Sequence, residues 1–219
     1  MPHIVFVDDK LDWSNFSVVG NLRQLYGDPS IPVEMYDKCD LSKLDPFDDL
    51  FLSGHGSSSS SGKFKTADDL ALVLEKGNLK KEHKLVVLLT CSSADTSASL
   101  NCFAAEMQVS LQKIGYKSVS VMGGTGRVVV GPLGREALLA DTLPSEALGL
   151  QTGVMAKHPG ALAHCKLLVD NVMKGSRSPH DLAQTADLIA AKLTSFYADL
   201  MAAFKPMLKS DKQAYAIYR

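Results

Sequence analysis

The chain has 219 residues, of which 46% are hydrophobic and 21% are charged, and its formal net charge is -1 at pH 7. This length and composition are typical of a single globular domain, or of one domain with a helical appendage, that buries a sizeable core. A net charge near zero gives no whole-protein attraction to nucleic acid or to an anionic membrane surface, so neither is expected as a partner.

Short apolar runs alternate with helical patterns over the first part of the chain. Helical periodicity is seen within residues 13–26, from Thr66 to Gly77, and over 102–114. Thr66 is suited to cap the second of these helices, and Gly77 to end it. This alternation predicts an α/β fold with a mostly parallel sheet flanked by helices. The predicted strands cover residues 3–7, 33–36, 50–53, 85–89, 118–122 and 128–130.

The chain changes character near residue 135, where it becomes rich in Ala and Leu. We therefore divide it into an α/β core, residues 1–134, and a helical extension, residues 135–219, packed on the same domain. Helices are predicted over 158–173 and 179–204, and a short edge strand over 215–218. The serine run at 57–61, followed by Gly62, predicts a flexible loop.

No leader or membrane segment is expected. The N-terminal sequence MPHIVFVDDK has neither a basic n-region nor a long apolar stretch. No apolar run reaches the roughly 18 residues that are needed to span a bilayer. The expected location is the cytoplasm, or a host cytosol reached by a signal-free secretion route.

The four cysteines are too few and too irregularly spaced for a zinc site or a disulfide framework. We expect reduced thiols, no metal and no other cofactor. Cys91 has the setting of a nucleophile, because it directly follows an apolar strand and small polar residues surround it. Cys39 lies in a charged segment, whereas Cys102 and Cys165 lie in helical patterns.

His55 occupies an equivalent position, directly after the strand at 50–53 and between Gly54 and Gly56. In an open parallel sheet the carboxyl ends of neighbouring strands share one crevice, and ligands bind there. A thiol beside an imidazole is the minimum equipment for nucleophilic catalysis by cysteine. His55 and Cys91 are therefore the predicted catalytic pair.

Two motifs at these strand ends resemble those of the cysteine peptidases with the caspase fold. This clan includes caspases, legumain, clostripain, gingipains and the self-cleaving domains of large bacterial toxins. LFLSGHG, residues 50–56, resembles the strand that ends in His-Gly, and LVVLLTC, residues 85–91, resembles the strand that ends in the nucleophile. TADDLALVL (66–74) and AAEMQVSLQKIGYKSVSVMGGT (104–125) resemble the neighbouring elements, with bacterial toxin-type and effector-type members the most similar.

The resemblance implies a caspase-like sheet and a peptidase that acts on proteins or peptides. Cys91 would be the nucleophile, His55 the general base and acid, and the backbone N–H groups of Gly56 and Cys91 the oxyanion hole. Thr90 departs from the alanine that caspases carry there, and the preferred substrate residue is left open. The pocket for the residue before the scissile bond would be lined by Ser53, Thr90, Met122, Gly123, Gly124, Thr125 and Arg127.

A small-molecule partner is also implied by the resemblance. Toxin-type members bind inositol hexakisphosphate through a large basic patch, although the near-neutral charge of this chain argues against a strong one. The candidate cations are Lys63, Lys65, Lys80, Lys81, Lys84 and Arg127.

Other interpretations compete with a peptidase. In one of them, the chain is a catalytically silent caspase-like module that binds a partner. In another, the same Cys/His pair carries out acyl transfer or deamidation. A response-regulator receiver would need a phosphoacceptor aspartate where Ser53 and Gly54 stand. The glycine run at 123–126 lacks the spacing and lysine of a phosphate-binding loop.

Overall fold

The structure, a computed structural model, describes residues 1–96, 101–131, 134–137, 144–208 and 215–219. The strands are β1 (His3–Phe6), β2 (Val33–Met35), β3 (Leu50–Ser53), β4 (Gly56–Ser57), β5 (Ser60–Ser61), β6 (Leu85–Leu89), β7 (Ser120–Gly124), β8 (Val128–Gly131), β9 (Gly134–Ala137) and β10 (Tyr215–Tyr218). The helices are α1 (Trp13–Tyr26), α2 (Ala67–Lys76), α3 (Phe103–Lys113), α4 (Pro144–Met155), α5 (Pro159–Lys174), α6 (Pro179–Lys192) and α7 (Thr194–Phe204).

The central sheet has six strands in the order β10-β7-β6-β3-β1-β2. Five of them are parallel, and β10 pairs antiparallel with β7 at one edge. The strand order reverses between β1 and β3, so the helices that follow these strands lie on opposite faces. Such a reversal opens a crevice at the carboxyl edge of the sheet.

Each face of the sheet contributes alternate strand residues to a separate apolar core. Ile4, Phe51 and Val87 face a core that is shared with α1, α5, α6 and α7. Val5 and Leu52 face the opposite core, which is shared with α2 and α3. The apolar runs at β1, β3 and β6 are continuous because both faces of these strands are buried.

The C-terminal helices are joined closely to the N-terminal part of the chain. A Cβ atom placed on Gly20 of α1 would lie 2.1 Å from the carbonyl oxygen of Ala186 in α6, so the two helices touch through their backbones. Beside this contact, the buried Arg23 forms an ion pair with Asp187 at 2.9 Å. Together with β10 in the sheet, these contacts make residues 144–208 and 215–219 part of the same cores.

The predicted α/β class is confirmed, as are the Thr66 cap, which accepts a hydrogen bond from the Asp69 N–H at 3.2 Å, and the edge strand β10. The single helix predicted over 179–204 is wrong, because α6 ends at Lys192. The hydroxyl of Thr194 donates to the carbonyl oxygens of Ala190 and Ala191, which captures the last carbonyls of α6.

The flexible loop predicted at the serine run is also wrong. Residues 56–61 form a β4–β5 hairpin, whose Ser58 carbonyl accepts a hydrogen bond from the Phe103 N–H at 2.7 Å. The β-branched run at 128–130 forms the hairpin β8–β9 rather than a strand of the main sheet. Within the described residues, no helix is both long and apolar enough to cross a membrane.

Candidate active site

His55 and Cys91 line one crevice at the carboxyl edge of the central sheet. His55 follows β3 and Cys91 follows β6, and these two strands are hydrogen-bonded neighbours. The crevice has a volume of about 130 Å³. The prediction that the sheet brings a thiol and an imidazole to one rim therefore agrees with the geometry.

The loops after β3 and β6 are in direct contact through Gly56 and Thr90. A Cβ atom on Gly56 would lie only 2.6 Å from the Cβ of Thr90 and 2.9 Å from the carbonyl oxygen of Ser60. Only glycine fits this space, because real Cβ contacts essentially never fall below 3.0 Å. Since Gly56 follows His55 and Thr90 precedes Cys91, this contact sets the spacing of His55 and Cys91.

Residues 91–95, which we call the nucleophile turn, are held by the last residue of β7 and by the segment that follows it. The N–H of Ser92 donates to the carbonyl oxygen of Gly126 at 2.7 Å, and the N–H of Ala94 donates to that of Gly124 at 2.9 Å. Ser92 has a φ of 55°, a left-handed conformation that is uncommon for a residue other than glycine. These hydrogen bonds hold the turn in a conformation that it would not favour alone.

His55 is paired with an acid that does not follow a strand. Asp12 caps α1 by accepting hydrogen bonds from the N–H groups of Ser14 and Asn15, and its other carboxylate oxygen lies 3.4 Å from Nε2 of His55. This carboxylate raises the pKa of His55, against the opposing effect of burial. Partial burial would raise the pKa of Asp12, but the contacts with His55 and Ser14 outweigh it and lower the pKa to about 2.

The Cys91 side chain is a thiol at neutral pH. Burial raises the pKa of Cys91, while a hydrogen bond from the Val128 N–H and the charge of Arg127 act in the opposite direction without offsetting it. A thiol with a raised pKa needs a base before it can act as a nucleophile. His55 is the group on the same crevice that is suited to this task.

Most of the crevice wall is apolar and comes from four parts of the chain, namely α1, β6, β8 and α7. Trp13 and Phe196 meet edge to face with ring centroids 5.4 Å apart, which joins α1 to α7 beneath the site. The side-chain amide of Asn21 donates to the carbonyl oxygen of Val130 at 2.8 Å, which fixes β8 against α1. The apolar lining residues are Trp13, Val18, Leu89, Val128, Val130, Phe196, Leu200 and Phe204, with Tyr197 beside them.

Four of the predicted site residues, Ser53, His55, Cys91 and Arg127, line the crevice. Arg127 also donates a hydrogen bond to Gln151 of α4 at the rim. The remaining predicted residues lie outside the lining. Gly56 and Thr90 are in contact between the loops after β3 and β6, and Gly124 accepts a hydrogen bond from the nucleophile turn. Gly123 lies against Ser93, and Met122 packs against the apolar core that α1 shares. Thr125 is half-buried between β7 and β8.

The cations proposed for an inositol phosphate lie at two edges of the sheet. Lys63 and Arg127 lie at the carboxyl edge, where Lys63 forms an ion pair with Asp9 at 3.3 Å. Lys80, Lys81 and Lys84 precede β6 and therefore lie at the amino edge, where Lys81 binds Glu75 and the carbonyl oxygen of Ile114. Because these five cations are divided between two edges of the sheet, the predicted set does not form one patch.

Sequence reasoning missed Asp12 and the aromatic wall from α7. A signal for Asp12 was present: the sequence Asp12-Trp13-Ser14-Asn15 is a helix-capping pattern at the start of the helix that comes after β1. A helix that follows a parallel strand begins at the carboxyl edge, so its cap was bound to lie near the crevice. The α7 wall has no comparable local signal.

No protein-family model matches the chain, and no curated protein matches it. Its function is therefore inferred from the residues of the crevice.

Proposed function

We propose that this chain is a cysteine peptidase of the caspase-fold type, with Cys91 as nucleophile and His55 as general base and acid. The observation that carries the proposal is the placement of both side chains on one crevice, with Gly56 in contact with Thr90 between them. A thiol and an imidazole at a shared rim, in a cleft lined by apolar groups, have the composition of a substrate site.

In the proposed reaction, His55 accepts the proton of the Cys91 thiol, and the resulting thiolate attacks the carbonyl carbon of the scissile peptide bond. The C–N bond then breaks, and His55 donates its proton to the departing amine. Water, deprotonated by His55, hydrolyses the thioester and restores the thiol. We retain the predicted oxyanion hole, the N–H groups of Gly56 and Cys91, as part of this proposal.

Asp12 has a supporting role in this scheme. Its carboxylate holds Nε2 of His55, which leaves Nδ1 for proton transfer with the thiol. It also favours the imidazolium that forms when the thiol is deprotonated. Because Asp12 and His55 are 51% and 55% exposed, solvent screens this pair, and its effect is smaller than that of a buried triad.

The lining favours an apolar residue before the scissile bond. Phe196, Leu200 and Phe204 present no charge, and Arg127, which lines the same crevice, would repel an ammonium group but attract a carboxylate. Burying a charge without a partner is costly, so peptides with Lys at this position should react at least about tenfold more slowly than peptides with Leu, whereas Arg127 makes Asp less unfavourable than Lys.

The test is labelling and cleavage with a panel of peptidyl electrophiles and matched fluorogenic peptides that carry Leu, Asp or Lys before the reactive bond. Wild type should be labelled at Cys91, and both Cys91→Ala and His55→Ala should abolish cleavage. Cys165→Ala is the matched control, because that thiol is buried and is not among the residues that line the crevice. Cleavage that survives in Cys91→Ala would disprove the proposal.

One observation favours a second candidate, a catalytically silent binding module. The raised pKa of Cys91 is mainly due to burial, which is typical of an inert cysteine. A wild-type chain that none of the electrophiles labels at Cys91 would support this candidate instead. Acyl transfer or deamidation on the same pair would give labelling without peptide cleavage.

A further inference from the structure

The C-terminal strand β10 contacts the nucleophile turn as well as β7. Tyr218 lies near the end of the chain, and its hydroxyl donates to the carbonyl oxygen of Ala94 over 3.5 Å. The Sγ atom of Cys102, the residue before α3, lies 3.1 Å from the same hydroxyl. One phenol oxygen therefore connects the C-terminal strand, the nucleophile turn and the start of α3.

β10 also supports the turn through β7. Tyr215 and Ala216 pair with Gly124 and Gly123, so β10 lies directly behind the segment that holds the turn. The N–H of Gly124 donates to the hydroxyl of Ser93 at 3.2 Å. The turn is thus braced by β7 on one side and by Tyr218 on the other.

We propose that Tyr218 is a positioning residue that holds the nucleophile turn, and with it the Cys91 thiol, in the reactive geometry. The proposal rests on the proposed peptidase function. The left-handed Ser92 shows why such a brace is useful, because a strained turn relaxes unless its surroundings hold it. Burial, and then the neighbouring Cys102, raise the pKa of Tyr218 to about 12, so the phenol remains a donor at neutral pH.

The test compares Tyr218→Phe, which removes only the hydroxyl, with Ile217→Ala, a change of a half-exposed side chain on the same strand. Two quantities are measured: kcat and KM on the best peptide of the panel, and the rate at which iodoacetamide alkylates Cys91, followed by peptide mass spectrometry. The loss of one neutral hydrogen bond should lower kcat by about threefold to tenfold. KM should stay within about twofold of wild type, since the substrate pocket is unchanged.

The alkylation rate of Cys91 in Tyr218→Phe should fall by the same factor as kcat, whereas Ile217→Ala should leave both unchanged. Cys102→Ala, which removes the thiol beside the phenol and leaves β10 intact, should give a smaller decrease in the same direction. A merely structural role for Tyr218 would lower the melting temperature without slowing alkylation.

Alkylation needs no peptide, so the two proposals fail separately. A chain that cleaves no peptide, but whose Cys91 alkylation depends on Tyr218, would overturn the peptidase function and support the positioning role of Tyr218. If alkylation and kcat are both unchanged in Tyr218→Phe, only the positioning role of Tyr218 is overturned. A fall in kcat without slower alkylation would overturn that role as well. A Cys91 that resists alkylation in every variant would overturn both.

Discussion

Gly56→Ala tests whether contact between the loops after β3 and β6 sets the catalytic geometry. The added Cβ would start 2.6 Å from the Cβ of Thr90, whereas ordinary van der Waals contact begins at 3.4 Å. Neither neighbour can yield by rotating a side chain, because one contact atom is a Cβ and another is the backbone carbonyl of Ser60. His55 and Cys91 must therefore move apart, and a misplacement near 1 Å costs about 100-fold in rate.

The assay is kcat/KM on the preferred peptide, together with the free energy of unfolding from denaturant titration. Overpacking of this kind costs about 1–3 kcal/mol, so the variant should remain folded while its activity collapses. Gly153→Ala in α4 is the matched control, since no atom lies within 4 Å of its added Cβ. Thr90→Gly, combined with Gly56→Ala, should restore part of the activity, although the contact with Ser60 persists.

A Gly56→Ala variant with wild-type kcat/KM would refute this reasoning. The same holds if Gly153→Ala loses as much activity, because the effect would then not depend on the crevice. Recovery in the double variant would show that Thr90 is the obstructing neighbour.

Three further predictions follow from single contacts. Because the Asp12 carboxylate raises the pKa of His55, Asp12→Asn should lower this pKa and move the acid limb of the kcat/KM profile against pH to lower pH. An acid limb at the same pH as in wild type would show that Asp12 does not act on His55. Gly20→Ala should destabilise the chain by about 1–3 kcal/mol in denaturant titration, because the backbones of α1 and α6 are in contact, whereas Gly149→Ala, with open space around it, should not. Burial lowers the pKa of His83, so the folded state resists its protonation. Stability should therefore be complete above the ordinary pKa of about 6.5 and decline as pH falls below it, and His83→Gln should flatten that decline.

The strands that carry the chemistry were predictable because they are buried on both faces. Leu50–Ser53 is apolar up to its last residue and Leu85–Leu89 is apolar throughout, and turn residues follow each of them. Helix α2 was equally accessible, since a capping threonine and an amphipathic face are local properties. The adjacency of β3 and β6 needed only the expectation that successive strands in an α/β sheet are neighbours.

Helix α1 was predicted only in part because its buried face is a mixture of apolar and polar residues. Ser17 and Asn21 are buried; the Ser17 hydroxyl is hydrogen-bonded to Tyr197, and the side-chain nitrogen of Asn21 donates to the carbonyl oxygen of Val130. Partners 180 and 109 residues away decide whether these polar side chains are tolerated, and no periodicity reveals them. The break between α6 and α7 was not predicted, because the apolar pattern continues through Leu193, whereas the helical backbone is interrupted at that residue.

The chemistry and the selectivity of the proposed site therefore come from different parts of the chain. The proposed nucleophile and base lie at the ends of two adjacent strands, and the pairing of these strands brings them to one edge of the sheet. The pocket wall needs α7 to dock on α1, through Phe196 on Trp13 and the Tyr197 hydroxyl on Ser17. Because α7 is also part of the core over the sheet, the C-terminal helices cannot be an appendage to a complete catalytic unit. Changes in that wall are expected to alter which peptide binds, while the distance between His55 and Cys91 remains under the control of Gly56 and Thr90.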